Sequence, residues 1–170
     1  MSPVTSPAEA AGFILRPATP ADVATVLRCI RALAEYERLL HECVATEELL
    51  RESLFGDQPA AEVVLAFDGN DVAGYALWFR SYSTFLARPG IYLEDLFVFP
   101  EHRRRGLGRR LLAFLAHTAV ERRYGRVEWA VLDWNQSAMT FYRSLGAVPV
   151  EGWTVCRLTG DALPALAAQT

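Results

Sequence analysis

The sequence predicts an α/β fold (α+β mixed), with a mixed central sheet of about six to seven strands flanked by helices on both faces. Three observations predict it. A hairpin signal, "AEVVLAF", "DGND" and "VAGYALWFRSY" across 61–82, places two antiparallel strands side by side. A strand–helix–strand run over 91–131 requires one parallel crossover, because parallel neighbours cannot be joined by a tight turn. The 170 residues are 52% hydrophobic and 22% charged, enough to bury a real core. A partly parallel sheet needs cover on both faces, and the intervening helical segments supply it.

The elements follow in chain order. Residues 1–12, "MSPVTSPAEAAG", have no basic start and no long apolar run, so they read as a disordered arm and not a signal peptide. A single domain is expected over 13–170. "FILRPAT" (13–19) is a short strand. Thr19 then suits a helix cap, Pro20 the first helical position and Asp22 the first turn. Val23, Val26, Leu27, Ile30, Leu33 and Ala34 recur at helical spacing. A second helix starts near Thr46, with acids in its first turn, and stops at Gly56. After the hairpin, "GIYLEDLFVF" (90–99) is a strand, 106–123 a helix with Leu107, Leu111, Leu112 and Leu115 on one face, and "RVEWAVL" (126–132) the next strand. A short helix over 137–145 is closed by Gly146. "GWTVCRLTG" (152–160) reads as a last strand and "DALPALAA" as a weak tail helix.

Composition removes several classes of function. The net charge is −3 and the sequence pI about 5.6, against the basic footprint of a nucleic-acid binder. No apolar run approaches the ~20 residues of a membrane helix. Cys29, Cys43 and Cys156 are odd in number and widely spaced, with no metal-ligand or disulfide spacing. They read as reduced thiols of a cytoplasmic protein, and no metal is expected. All 17 basic residues are arginine.

Against that acidic background, "YLEDLFVFPEHRRRGLGRRLL" (92–112) packs five arginines around Gly106 and Gly108. The run follows a strand and opens a helix. A helix start has unpartnered N–H groups and a dipole that favours an anion, and glycine lets a phosphate come close to the backbone. With Arg103, Arg104, Arg105, Arg109 and Arg110 adding charge-assisted contacts, the run reads as a pyrophosphate cradle. A solvated arginine-rich helix start remains the ordinary alternative. The Walker pattern is excluded for want of a lysine, and the dinucleotide fingerprint for want of a third glycine, where Leu111 stands.

Glu94 and Asp95 lie inside a strand pattern, and alternation directs them to opposite faces. An unpaired buried carboxylate is costly, so each has either an arginine partner or a ligand-facing role. In "DWNQSAMTFYRSLG" (133–146), Asn135 suits a helix cap, and Phe141 and Tyr142 are core residues on the ordinary reading.

Together these segments resemble the GNAT acyltransferase superfamily. Its Q/R-x-x-G-x-G/A signature stands here as Arg103-Arg104-Arg105-Gly106-Leu107-Gly108, and its later Asn…Tyr segment as Asn135 and Tyr142. "ILRPATPAD", "LAEYE", "IYLEDLFV", "WNQSAMTFYRSLGA" and "EGW" are similar to the diamine (spermidine/spermine) acetyltransferase subfamily, across roughly 14–158. The resemblance implies a GNAT fold and acetyl transfer from acetyl-CoA to a small primary amine in a ternary complex. Arg103, Arg104, Arg105, Gly106, Leu107, Gly108 and Arg109 would hold the CoA pyrophosphate. Leu96, Phe97 and Val98 would align the pantetheine as an added strand, and Asn135 and Ala138 would contact the cofactor. Glu94 is the implied base and Tyr142 the implied proton donor to the leaving thiolate, in contact with cofactor. Tyr36, Glu37, Glu94, Asp95, Glu151 and Trp153 match positions that face the amine.

One stretch departs from that subfamily. Polyamine-specific members carry an acid and a tryptophan where Thr84 and Leu86 stand, and no acid lies between Asp71 and Glu94. The resemblance therefore points to shorter amines, such as lysine-like thioether amino acids, over spermine. Two other readings remain open: a peptide or protein N-acetyltransferase, and a non-catalytic acyl-CoA-binding module, which would need neither Glu94 nor Tyr142. Relatives form homodimers, so a homodimer is expected, with no nucleic-acid or membrane partner.

Overall fold

A computed structural model describes residues 12–169, and these divide into one compact unit ending at Ala130 and a second beginning at Val131. The arm expected over 1–12 lies outside the described residues, apart from Gly12. The first unit holds β1 (Phe13–Pro17), α1 (Val23–Tyr36), α2 (Glu47–Phe55), β2 (Glu62–Asp68), β3 (Asp71–Ser83), β4 (Arg88–Val98), α3 (Leu107–Glu121) and β5 (Val127–Trp129). The second holds α4 (Gln136–Ser144) and α5 (Ala162–Ala167). Among the described residues, no helix is long and apolar enough to cross a membrane.

The local signals act where they were read. The backbone N–H and hydroxyl of Thr19 each donate to Asp22 Oδ2 at 2.8 Å, and Arg16 grips both Asp22 oxygens at 2.8 Å. That grip, with the Thr19 bonds, holds the Asp22 carboxyl well below the usual carboxylate range despite its burial. Thr46 caps α2, its hydroxyl accepting from the Leu49 N–H at 3.3 Å. Gly146 ends α4 in the left-handed region, with φ +88.

The sheet runs β1-β2-β3-β4-β5, antiparallel except for the parallel β4–β5 pair. Val63, Leu65, Tyr75, Leu77 and Phe97 pack against α1 and α2 through Val26, Leu27, Cys29, Leu50 and Leu54. On the other face, Trp78 meets Phe114 of α3 edge-on at 5.9 Å. Helices thus cover both faces, and β3 is buried from Val72 to Trp78.

Three features differ from the sequence reading. Among the described residues the sheet has five strands, not six or seven, and residues 152–160 form no strand. Val148, Val150, Trp153 and Val155 are exposed, and the second unit offers them no strand to pair with, so their alternation buries nothing. β5 is three residues long instead of seven. β4 begins at Arg88, two residues before the expected start, and closes a long hairpin with β3. Its turn is tied by the Leu86 N–H to Ser83 Oγ at 3.2 Å.

The β3–β4 register slips between Leu77 and Trp78. Leu77 opposes Asp95 and Trp78 opposes Leu93, which leaves Glu94 as the extra residue of a bulge. Simple alternation therefore breaks at the two acids: Glu94 is exposed and Asp95 half-buried.

Candidate active site

The site begins where β4 loses its neighbour. β5 pairs only with Ile91, Tyr92 and Leu93, so the β5-facing edge of residues 94–98 has no ladder partner in the first unit. Leu96 and Val98 therefore direct backbone groups to an open edge, where an extended chain can add as a strand, while Phe97 between them directs its carbonyl toward β3. Under this edge Gly74 permits a close approach. A Cβ there would stand 2.5 Å from the Phe97 carbonyl oxygen, 3.2 Å from Val98 Cα and 3.4 Å from Leu107 Cδ2.

Beyond Val98 the chain makes one 3-10 turn (Pro100–His102) and reaches the basic run. Gly106 caps α3 at φ +80, a conformation that excludes a β-carbon without strain. The first helical bond runs from the Arg110 N–H to the Gly106 carbonyl at 3.2 Å, so the N–H groups of Leu107, Gly108 and Arg109 precede the ladder. The Leu107 side chain is buried, so at the cradle it offers only its backbone. Arg104 is held at φ +61, in the left-handed region.

The five arginines have different attachments. Arg104 and Arg109 are exposed. Arg105 pairs with Asp68, which also meets His102 Nδ1 at 3.2 Å, and its guanidinium lies 4.5 Å from the Phe13 ring. Arg110 Nη2 donates to the Phe13 carbonyl at 2.8 Å. Arg105 and Arg110 thus tie the cradle to β1 and β2. Arg103 folds back: its Nε donates to the Val98 carbonyl at 2.9 Å, and its guanidinium sits 5.0 Å from the Tyr36 ring and 5.5 Å from the Phe97 ring. Arg104, Arg109 and the helix N–H groups fit a pyrophosphate, since they combine cations with unpaired donors around a glycine.

The acids gather beside the same edge. Tyr36 ends α1, and the Glu37 N–H closes that helix on the Leu33 carbonyl at 2.9 Å. Tyr36 and Phe97 ring centroids lie 6.3 Å apart. Burial, followed by the charges of Asp95 and Glu94, raises Glu37 from its ordinary value. Burial also raises Asp95, with the Glu94 charge adding to it and a bond from Tyr75 opposing it. The structure thus brings Tyr36, Glu37, Glu94 and Asp95 into one acidic, aromatic-flanked corner. Glu37 is pushed up by the charges of the other two acids, a repulsion that a ligand ammonium would relieve, and Arg103 stands at the rim of the corner on Tyr36 and Phe97.

Tyr75 was not read from the sequence as a site residue. It is fully buried on β3, and its hydroxyl donates to Asp95 Oδ2 at 2.7 Å. The only signal available was a tyrosine in the otherwise apolar run "VAGYALW".

In the second unit, Asn135 caps α4, its Oδ1 accepting from the Ala138 N–H at 3.2 Å and the Ser137 hydroxyl at 3.1 Å. Asn135, Ala138 and Tyr142 are brought together on this helix, and the Phe141 and Tyr142 rings stand 5.4 Å apart. Glu151 and Trp153 lie in the irregular segment after it, both exposed.

Comparison with known proteins gives concordant matches. The family model described as "Acetyltransferase (GNAT) family" matches residues 29–147. A thialysine N-epsilon-acetyltransferase of Bos taurus is 40% identical over 167 residues, covering 92% of this chain and 98% of that protein. An L-ornithine N5-acetyltransferase of Arabidopsis thaliana is 36% identical, covering 96% of this chain and 92% of that protein. Among solved structures, an integron cassette protein of V. cholerae superposes with a TM-score of 0.78 at 23% identity, covering 92% of this chain and 98% of that one. An aminoglycoside acetyltransferase from a soil metagenome, in complex with sisomicin, gives 0.75 at 19%, covering 88% and 97%. At these identities the two structures bear on fold alone.

Proposed function

The chain belongs to the acetyltransferase (GNAT) family, whose members use acetyl-CoA, and from that premise we propose that it acetylates the side-chain amine of a short, amino-acid-like acceptor. The observation that carries this reading is the corner of Glu37, Glu94 and Asp95 beside the open edge of residues 94–98. An anionic corner recognises an ammonium group, and its place along the edge sets that group beside an extended acyl carrier. Relatives named for thialysine and for L-ornithine support an acceptor of this kind. The absence of an acid between Asp71 and Glu94 leaves a long polycation without a distal anchor.

Acetyl-CoA supplies an activated acyl group, and the residues of this chain hold and steer protons around it. Arg104, Arg109 and the N–H groups that open α3 bind the pyrophosphate. Leu96, Phe97 and Val98 align the pantetheine, with Asn135 and Ala138 contributing from α4. An alkylamine has a pKa of about 10 and arrives protonated, so Glu94 accepts its proton, directly or through water. The N–H of Leu96, on the open edge, donates to the carbonyl oxygen as charge develops there. The Tyr142 hydroxyl returns a proton to the departing sulfur. Tyr36, Glu37, Asp95, Glu151 and Trp153 frame the amine. The enzyme works in the cytoplasm as a homodimer, without nucleic acid, membrane or metal.

An amine panel with acetyl-CoA tests the proposal. L-ornithine, thialysine, lysine, putrescine, spermidine, spermine and a lysine-containing peptide are compared by kcat/KM. The short amino-acid amines should lead. Spermine or the peptide matching the best of them would overturn the acceptor assignment.

A further inference from the structure

We propose that Tyr75 is a positioning residue for the acetyl acceptor: from the adjacent strand, its hydroxyl fixes Asp95 Oδ2 so that Oδ1 is held toward the incoming ammonium. The inference rests on the reading above, in which Asp95 faces the amine.

The geometry is specific. Tyr75 lies on β3 opposite Phe97 and diagonal to Asp95, which opposes Leu77. Diagonal neighbours on one sheet face are within reach of a long aromatic side chain. The Tyr75 ring is fully buried among Cys29, Leu77 and Phe97, so its hydroxyl has one direction open to it, upward to Asp95 at 2.7 Å. A hydroxyl placed in an apolar layer is costly unless it is bonded, and phenylalanine would fill the same space without that cost. Among the described residues the Oδ1 atom of Asp95 makes no recorded hydrogen bond. One carboxylate oxygen is anchored in the core, and the other is left for a ligand.

The bond also acts on charge. Burial and the charge of Glu94 on β4 push Asp95 toward its neutral form, and Asp95 in turn pushes up Glu37 at the end of α1. Cys29 on α1 faces the Tyr75 hydroxyl and is itself pushed up to about 12 by burial, so it supplies no competing charge at neutral pH. Arg103 stacks on Tyr36 and Phe97 at the rim. A hydrogen bond to the ionised carboxylate favours that form, and the Tyr75 hydroxyl supplies one. Tyr75 therefore opposes the rise that burial imposes on Asp95.

The test is Tyr75→Phe, alone and combined with Asp95→Asn, measured against the best amine of the panel. Tyr75→Phe should raise the amine KM about tenfold, equivalent to about 1.4 kcal/mol, with kcat and the acetyl-CoA KM within about twofold. The acid limb of kcat/KM should move to higher pH, because Asp95 loses the bond that favours its ionised form. In the Asp95→Asn background, Tyr75→Phe should add nothing. Placing 3-fluorotyrosine at 75 makes the hydroxyl a stronger donor and should move the acid limb to lower pH without removing the bond. If Asp95→Asn raises the amine KM but Tyr75→Phe shifts only the melting temperature, the role of Tyr75 is structural and the inference fails. If Asp95→Asn itself leaves the amine KM unchanged, the acceptor reading fails, and this inference with it.

Discussion

Gly74→Ala should damage acetyl-CoA use without touching any group that contacts it. The new Cβ would stand 2.5 Å from the Phe97 carbonyl oxygen, 3.2 Å from Val98 Cα and 3.4 Å from Leu107 Cδ2. A carbon and a carbonyl oxygen settle at about 3.3 Å or more, so β3 and the end of β4 must separate by about 0.8 Å. Neither side yields easily, since the obstructing atom is backbone and Leu107 is buried in the core. Overpacking of this kind costs about 1–3 kcal/mol. For a chain of this length that lowers Tm by roughly 2–12 °C. The displaced segment is the edge assigned to the pantetheine, and misplacement near 1 Å can reduce turnover about 10²-fold. Steady-state kinetics at 20 °C, well below the melting transition, should show kcat/KM for acetyl-CoA reduced about 10- to 100-fold. A lowered Tm with an unchanged kcat/KM would refute the reasoning, because the strain would then fall on a segment that holds no cofactor.

Tyr142→Phe should bind acetyl-CoA with unchanged affinity by calorimetry while kcat falls about 10²- to 10⁴-fold; unchanged turnover would remove Tyr142 from the mechanism. Asp22 makes a pH-dependent contribution to stability, because Arg16 and Thr19 depress its folded pKa. That contribution is complete above the unfolded value of about 3.9 and is lost as pH falls toward the lower folded value. Asp22→Asn should therefore cost about 1–2 kcal/mol at pH 7, the partly exposed Arg16 limiting the figure, and the difference should shrink below pH 4 in denaturant melts. A gap that persists at low pH would place the effect in packing and not in the ion pair.

The elements that were legible in the sequence rest on contacts within three or four residues. Thr19 with Asp22, Thr46 with the Leu49 N–H, and Gly146 at the end of α4 are such contacts, and each acts where it was read. The basic run was legible for the same reason: a strand end, two glycines and a helix start are consecutive in the chain. What was not legible lies between elements. The bulge that isolates Glu94 exists only in the pairing of β4 with β3. The loss of the last strand follows from the lack of a neighbour for residues 152–160, although their alternating apolar side chains suit a strand.

The sequence by itself determined the family, the mixed character of the sheet and the identity of the charged groups, because residue type and short-range spacing carry those. Only the tertiary structure decided how those groups are used. Arg105 and Arg110 look like Arg104 and Arg109 in the sequence, yet Asp68 and the Phe13 carbonyl engage the first two. Asp95 looks like one more acid, yet a hydroxyl twenty residues away, on the adjacent strand, donates to one of its oxygens. Such assignments depend on which distant groups share a low-dielectric space, and chain folding creates that proximity.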